Sequence, residues 1–260
     1  MLREKRREII MNMVRSQQYV AVTELMDVLH VSNETVRRDL VSLKEQGLIH
    51  CVRGGAMHRA QTAIVDPTEV RRELNAVEKE EICRYAATLV DDGDSLAIGG
   101  ATTTMTIGKY LAEKSQLTVI TNSFDIGSDV KQNPSNTVIL IGGELDAWER
   151  KTLGREAEDE LRKLRVDKAF ISAAGISAES GVTEYSEKEN ALSQTIIEIA
   201  QKTYLLNDYS KLGLVALRCT CGASRLAGIV TDWRANKQRI AEVEAEGIKV
   251  YTAEKPSIDL

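Results

Sequence analysis

Residues 31–47 read VSNETVRRDLVSLKEQG, and this stretch contains the signals of one amphipathic helix with a defined start and end. Ser32 is a favourable N-cap, because its hydroxyl can accept a hydrogen bond from an unpaired backbone N–H of the first turn. Val36, Leu40 and Leu43 recur at helical spacing and should pack inward. The glycine that closes the stretch suits the left-handed conformation that often follows a helix. We therefore predict a helix that begins after Ser32 and ends just before this glycine.

The flanking segments predict two earlier helices and a later hairpin. Residues 3–15 and 22–29 have helical patterns, and Thr23 is a candidate N-cap of the second helix. Residues 48–52 and 56–58 are predicted strands, joined by a tight Arg-Gly-Gly turn. Three helices followed by a hairpin are typical of a winged helix-turn-helix.

The outer face of the third helix carries the side chains that we expect to contact DNA. Arg38 points most directly outward, between Arg37 and Thr35, and Asn33 lies at the exposed amino-terminal end. In the major groove, arginine recognises guanine edges and asparagine recognises adenine. The first turn can hold a phosphate, and the arginine of the wing turn is placed for a backbone or minor-groove contact. The predicted DNA contacts are Ser32, Asn33, Thr35, Arg37, Arg38 and Arg53.

Charge is distributed unevenly along the chain. Residues 1–60 have a net charge of +3 and residues 61–260 a net charge of −8, giving −5 overall. A basic head on an acidic body is typical of a small DNA-binding module on a body that DNA repels. Adjacent arginines are nevertheless commonly a solvated face, and winged helices also bind proteins. A scaffold that binds only protein is therefore one alternative.

The remainder of the chain predicts a second, larger domain. Residues 59–74 are polar, contain Pro67 and are interpreted as a linker. Beyond a predicted helix at 77–90, short aliphatic runs alternate with amphipathic stretches, a pattern that predicts a parallel sheet with helices on both faces. The fold class is α/β, with a winged helix-turn-helix domain (1–58) followed by an open, mostly parallel α/β domain (75–260). The predicted strands are 96–98, 117–120, 137–141, 169–172, 203–206, 226–230 and 248–251, and the predicted helices are 103–113, 124–131, 154–163, 187–201 and 234–246.

Composition excludes several classes of protein. No apolar run is long enough to span a membrane, and the charged start lacks the apolar stretch of a signal peptide, so we expect a cytoplasmic protein without a membrane partner. The four cysteines offer neither a disulfide framework nor a zinc-ligand pattern. We expect no metal and no cofactor.

The run VSNETVRRDL at 31–40 resembles the recognition segment of the DeoR family of bacterial transcription regulators, V-S-x-x-T-[IV]-R-R-D-L. The family pattern continues as L-x-x-x-G, matched at 43–47, and as a basic residue before G-G-A, matched at 53–56. His50 stands where the family often has arginine. The resemblance covers almost the whole chain and implies operator DNA as the partner. It also implies a sensor body related to the sheet of ribose-5-phosphate isomerase.

The resemblance also implies that five loops after strands form the effector site. Ligands bind beyond the carboxyl ends of strands in open α/β sheets, and small residues, threonine hydroxyls and helix N-terminal N–H groups suit a phosphate. In the fifth loop a lysine could reach an anion as a point charge. The candidate effector-binding residues are Gly100, Thr102, Thr103, Thr104, Thr121, Asn122, Ser123, Gly142, Gly143, Gly175, Asp208 and Lys211.

Two departures from the family pattern bear on activity. Gly99 and Ala101 replace the acid and the glycine of D-x-G-T-T, and Ser193 replaces the lysine of E-x-x-V-K, although Glu189 retains its acid. The alternative of a sugar-phosphate isomerase with an appended head needs a general base and an oxyanion stabiliser, so these losses speak against an enzyme. We expect a repressor of a carbohydrate-utilisation operon, controlled by a phosphorylated sugar. Because one small head cannot supply tight operator binding, we also expect a homodimer or higher homo-oligomer.

Overall fold

The computed structural model describes residues 3–17, 19–45, 48–52, 55–58, 68–147 and 149–256. The chain divides into two compact units, Met1–Asp66 and Pro67–Leu260, and each has its own hydrophobic core. Among the described residues, no helix is both long and apolar enough to cross a membrane.

The first unit is a winged helix-turn-helix, as predicted. Its strands form a small antiparallel sheet in the order β1-β3-β2. Strand β1 was not predicted, because three residues carry too short a pattern and the strand exists only through pairing with β3, in which Tyr19 lies opposite Met57. The elements are α1 (Arg3–Gln17), β1 (Tyr19–Ala21), α2 (Val22–Leu29), α3 (Asn33–Glu45), β2 (Ile49–Val52) and β3 (Gly55–His58).

The core of this unit confirms the predicted inward face of α3. Val36, Leu40 and Leu43 are buried together with Ile10 of α1 and Leu25 of α2. Because these apolar side chains all lie on one face of α3, the opposite face is polar and exposed to water.

One of the two predicted N-caps is confirmed. Ser32 Oγ accepts a hydrogen bond from the backbone N–H of Thr35 at 3.4 Å. The prediction for Thr23 was wrong, because α2 already begins at Val22 after Ala21, and no side chain caps it. Strand β1 pairs with β3 up to Ala21, and α2 begins at the next residue, one position before Thr23. Local helix propensity does not reveal this start, because it depends on the pairing with a distant strand.

The second unit is built on one seven-stranded parallel sheet in the order β15-β14-β12-β9-β4-β5-β6. These are the seven predicted strands. The helices are α4 (Thr68–Glu73), α5 (Ala76–Ala87), α6 (Ile107–Leu111), α7 (Phe124–Val130), α8 (Arg155–Leu161), α9 (Glu187–Ile199) and α10 (Lys237–Glu244). The strands of the sheet are β4 (Ser95–Ile98), β5 (Thr118–Thr121), β6 (Thr137–Leu140), β9 (Val166–Ile171), β12 (Ala200–Leu206), β14 (Gly228–Asp232) and β15 (Val250–Ala253).

Helices cover both faces of the sheet, as the alternation predicted. Leu96 and Ile98 of β4 pack into a core with α5, α6 and α7, whereas Ala97 between them packs into a second core with α8, α9 and α10. Because successive side chains of a strand point to opposite faces, the inner strands β4, β5, β9, β12 and β14 contribute to both cores.

Two smaller sheets were not predicted. One is the antiparallel hairpin β7–β8, and the other has the order β10-β11-β13. Their strands have three or four residues each, so they carry too little periodicity to be read from the sequence. Both follow strands of the main sheet and bring charged side chains to its carboxyl edge. Their bounds are β7 (Glu144–Asp146), β8 (Lys151–Leu153), β10 (Gly175–Ser177), β11 (Gly181–Glu184) and β13 (Arg218–Cys221).

Two further segments differ from simple expectation. Residues 68–73 of the predicted linker form α4, and residues 59–67 lie outside the described part. The predicted helix at 103–113 was too long, since α6 begins only at Ile107. Thr104 Oγ1 donates to Gly99 O at 2.6 Å and accepts from Ala101 N at 2.9 Å, and these bonds close a loop where a helix was expected.

Candidate DNA-contact surface and effector site

Helix α3 presents a polar face with two pre-positioned arginines. Arg37 Nε donates to Asn33 Oδ1 at 2.6 Å, and Arg38 pairs with Glu34 one turn earlier. The Arg38 side chain is 76% exposed, and exposed ion pairs contribute little to stability, so the guanidinium can exchange Glu34 for a base edge. The face therefore has the chemistry of a major-groove reader.

The other predicted DNA contacts lie at the start of the helix or outside the described residues. Ser32 is exposed, and its hydroxyl lies 3.0 Å from the half-buried Thr35 Oγ1. Arg53 belongs to the part of the chain that the structure does not describe.

A buried acid anchors α3 to α1. Asp39 is 1% exposed, and its carboxylate accepts from Arg6 Nε at 2.6 Å, with Arg3 and Arg7 each at 3.5 Å. Arg3 also borders a shallow depression together with Glu34, Arg37 and Arg38. Sequence reasoning missed both roles, although an acid among inward-facing positions of a helix is a signal for a buried pair.

In the second unit, the loops after β4 and β5 are joined to the β7–β8 hairpin. Gly100 N donates to Asn122 Oδ1 at 2.7 Å, and Asn122 Nδ2 donates to Thr152 O at 2.7 Å. Two of the predicted loops thus meet at the carboxyl edge of the sheet, with Asn122 as the bridge.

Several predicted effector contacts are occupied by bonds within the fold. Thr103 and Thr104 are buried, and Thr104 closes its loop as described above. Thr121 Oγ1 donates to Ile98 O at 2.8 Å, and Ser123 Oγ accepts from Ile126 N at 3.4 Å as the N-cap of α7.

The predicted glycines serve close packing. A Cβ on Gly143, which has a φ of +133°, would lie 2.7 Å from Leu153 O, and one on Gly175 would lie 2.3 Å from Leu214 O. Gly142 N donates to Glu160 Oε2 at 3.1 Å. The close contacts at Gly143 and Gly175 explain why these two positions require glycine without reference to a ligand, whereas the contacts of Gly142 do not.

A buried lysine that sequence reasoning missed lies beside the first loop. Lys79 of α5 is 6% exposed, and its Nζ donates to Arg71 O and to Thr102 Oγ1, the latter at 3.4 Å. Among the residues that the structure describes, no carboxylate forms an ion pair with it. Burial lowers the pKa of Lys79 to about 8, with the Asp208 carboxylate acting in the opposite direction.

The two predicted residues of the fifth loop lie near Lys79. Asp208 is 1% exposed, and its Oδ1 accepts from Asn75 Nδ2 at 3.0 Å and from Ser210 N at 2.9 Å. The charge of the half-buried Lys211 also lowers the pKa of Lys79.

A second buried lysine flanks the same loop from the hairpin. Lys151 has a side chain that is 3% exposed, pairs with both Glu149 and Glu189, and donates to Gly100 O at 3.3 Å. Burial alone would lower the pKa of Lys151, but the two carboxylates outweigh it and raise the pKa. Glu149 also accepts from Arg71 of α4, so a chain of charges links α4, the hairpin and α9.

A winged helix-turn-helix with an arginine-bearing recognition helix, followed by an α/β unit in which Lys79 and Lys151 are buried beside the loop after β4, defines a DNA-binding regulator with its own sensor domain. The chain belongs to the DeoR family: residues 6–62 match the DeoR-like helix-turn-helix domain, and residues 74–233 match the DeoR C terminal sensor domain.

Individual relatives agree with this assignment. The chain is 33% identical to the uncharacterized HTH-type transcriptional regulator YgbI of Escherichia coli, over 89% of this chain and 91% of the relative. It is 29% identical to the glycerol-3-phosphate regulon repressor of the same species, over 89% and 92%. Among solved structures it is similar to ribose 5-phosphate isomerase A of Methanocaldococcus jannaschii, with a TM-score of 0.39 and 16% identity over 55% of each chain.

Proposed function

We propose that this chain represses a carbohydrate-utilisation operon and that a phosphorylated sugar, bound in the second unit, controls its affinity for operator DNA. The observation that carries the proposal is the buried ammonium of Lys79, which donates to Arg71 O and has no paired carboxylate in the described part of the chain. A phosphate would supply the missing negative charge through charge-assisted hydrogen bonds. The name of the glycerol-3-phosphate regulon repressor, a relative over most of the chain, is consistent with such an effector.

Helix α4 is the element through which we expect effector binding to act on the head. Thr68 Oγ1 donates to Glu149 Oε1 at 2.7 Å, and Arg71 pairs with the same carboxylate. A bound phosphate would compete with Glu149 for Arg71 and loosen α4, which directly follows the segment between the two units in sequence. Such coupling requires that the ligand binds the two states of α4 with different affinity.

We also propose that the regulator is a homodimer or a higher homo-oligomer. A single recognition helix of 13 residues occupies one half-site, whereas tight binding of a symmetric operator needs two. Sedimentation in the presence of operator DNA tests this, and a strict monomer would contradict it.

The proposal is tested by titrating a protein–operator complex with defined sugars. An operator is first selected from a random DNA pool, and its affinity is then followed by fluorescence anisotropy. We expect at least one of ribose 5-phosphate, fructose 6-phosphate, glucose 6-phosphate and glycerol 3-phosphate to change the affinity at least tenfold. The same compounds without phosphate should have no effect. If none of the phosphates acts, the effector assignment is wrong.

The isomerase alternative has less support. At Gly99, where the family has an acid, a Cβ would lie 3.3 Å from Ile196 Cδ1 and 3.9 Å from Ile171 Cγ2. A carboxylate at this position would face apolar side chains. Gly99 supplies no acid or base itself, so the general base that an isomerase needs is missing there. Turnover of ribose 5-phosphate by the purified protein would restore the alternative.

Replacing Arg38 with alanine is expected to weaken operator binding about tenfold, because a bidentate arginine–guanine contact contributes about 1–3 kcal/mol. Lys44→Ala is the matched control, since it removes one exposed positive charge from the other end of α3. Anisotropy on specific and scrambled DNA separates base reading from general attraction. Equal losses for the two variants, or equal losses on the two DNAs, would argue against base recognition by Arg38.

A further inference from the structure

The turn after β9 holds two polar side chains on consecutive backbone N–H groups. Ala173 N donates to Asn207 Oδ1 at 3.0 Å, and Ala174 N donates to Glu184 Oε2 at 3.1 Å. Ser172 Oγ also donates to Asn207 Oδ1, at 2.9 Å. The amide that follows β12 and the carboxylate at the end of β11 therefore bond to adjacent residues of one turn at the carboxyl edge of the sheet.

The amide nitrogen of Asn207 is buried and unused. Asn207 is 0% exposed, and among the described residues its Nδ2 has no hydrogen-bond partner. The assignment of its two amide atoms follows from chemistry: the backbone N–H of Ala173 can only donate, so the atom that it contacts is the oxygen. Buried N–H groups are nearly always paired in native proteins. Because Asn207 lies at the sheet edge where ligands bind, we infer that the acceptor for its Nδ2 is an atom of the ligand.

Glu184 offers the complementary chemistry. Its Oε1 accepts from Tyr185 N at 2.7 Å, and its Oε2 accepts from Ala174 N, which leaves lone pairs on both oxygens. Burial raises the pKa of Glu184, and Glu189 raises it further, while the charge of Lys211 acts in the opposite direction. The subsite is connected to Lys79 through the fifth loop, because Asp208 follows Asn207 directly and its Oδ1 accepts from Asn75 Nδ2 at the start of α5, the helix that carries Lys79.

We propose that Asn207 and Glu184 form a hydroxyl-binding subsite of the effector site. Asn207 Nδ2 donates to a sugar hydroxyl oxygen, and a carboxylate oxygen of Glu184 accepts a hydrogen bond from the hydroxyl of the same or the neighbouring carbon. A sugar hydroxyl can both donate and accept a hydrogen bond, so the amide donor of Asn207 and the carboxylate acceptor of Glu184 together match its chemistry. The inference rests on the proposed function and deepens it, because it assigns the polyol part of a phosphorylated sugar to residues other than those that hold its phosphate. Because Asn207 Nδ2 is buried, neighbouring residues have to move before a hydroxyl can reach it.

The test is a ratio of two affinities, measured by calorimetry on the full chain. The probes are methyl phosphate, which carries no hydroxyl, and the tightest binder among ribose 5-phosphate, fructose 6-phosphate and glucose 6-phosphate. The ratio is the affinity for the sugar phosphate divided by the affinity for methyl phosphate. Asn207→Ala and Glu184→Gln should each lower this ratio at least tenfold, because each weakens binding of the sugar phosphate only. Lys79→Met should weaken both probes and leave the ratio unchanged.

Thr231→Val is the matched control, because Thr231 is also fully buried and its Oγ1 is also without a partner in the described part of the chain. It should leave the ratio unchanged. If Asn207→Ala does not fold, as circular dichroism will reveal, Glu184→Gln alone decides. Ratios within twofold of wild type would overturn the subsite and leave the proposed function standing. A wild-type protein that binds no sugar phosphate more tightly than methyl phosphate would overturn both.

Discussion

Lys79→Met is expected to weaken effector binding about 100-fold while making the folded protein more stable at neutral pH. The variant removes the buried ammonium that we assign to the phosphate, and hydrogen bonds to charged groups contribute about 1.5–3 kcal/mol each. It also removes an unpaired buried charge. The lowering of the Lys79 pKa from 10.5 to about 8 corresponds to roughly 3 kcal/mol, part of which is offset by two lost hydrogen bonds.

The pH dependence of this effect has a defined sign. Because the folded-state pKa of Lys79 lies below its unfolded value, the folded state binds fewer protons between about pH 8 and 10.5. The cost of the charged lysine is therefore complete below about pH 8, decreases as the pH rises and is absent above about 10.5. The stability advantage of Lys79→Met should follow the same course. Effector affinity of the wild type should fall as the pH rises past about 8, since the ammonium loses its proton.

Urea denaturation and effector titration of the operator complex, both as a function of pH, measure these outcomes. Lys202→Met is the matched control, because Lys202 is exposed on β12 and its removal should change neither quantity. If Lys79→Met responds to the effector like the wild type, the phosphate is held elsewhere. If it is less stable than the wild type below pH 8, the burial cost assigned to Lys79 is wrong.

Asp39→Ala is expected to cost the first unit about 3–5 kcal/mol and to abolish operator binding. The carboxylate is almost fully buried against Arg6 and Arg7, with the exposed Arg3 at its edge, and its removal leaves the two largely buried guanidinium groups without compensation. A unit of this size has a net stability of only roughly 3–9 kcal/mol, so the loss unfolds much of the population or releases α3 from α1.

The expected result is a first unfolding transition at lower urea concentration, with effector binding by the second unit unchanged. Glu34→Ala is the control, because its pair with Arg38 is exposed and should contribute less than about 1 kcal/mol. A loss for Asp39→Ala that is no larger than that for Glu34→Ala would show that the buried pair does not hold the recognition helix.

Local signals were sufficient for most of the fold. The Ser32 cap and the spacing of Val36, Leu40 and Leu43 identify α3, because a helix is determined by residues within a few turns of one another. The seven strands of the main sheet were also predicted, since each is a short aliphatic run bounded by turn residues. Strands β1, β7 and β8 escaped prediction because they consist of three residues each and depend on partners distant in sequence.

The candidate effector site was predicted only in outline. Loops after parallel strands converge for topological reasons, so Gly100 and Asn122 do meet. Gly175 and Thr121, in contrast, serve packing and hydrogen bonding inside the fold. A glycine or threonine at a strand end has the same sequence signal in both roles, and only the position of its neighbours separates them.

Local sequence patterns are enough to predict a winged helix followed by a parallel α/β domain, because helical spacing, caps and strand runs involve residues close to one another in the chain. The resemblance of residues 31–56 to a family motif adds DNA binding and ligand sensing. Which charges matter, in contrast, depends on the tertiary structure. In the sequence, Lys79 is one lysine on a charged helix, indistinguishable from the exposed Lys202. In the structure, Lys79 is buried beside Thr102 at the carboxyl edge of the sheet, and no carboxylate among the described residues pairs with it. Its charge is therefore available to an anion.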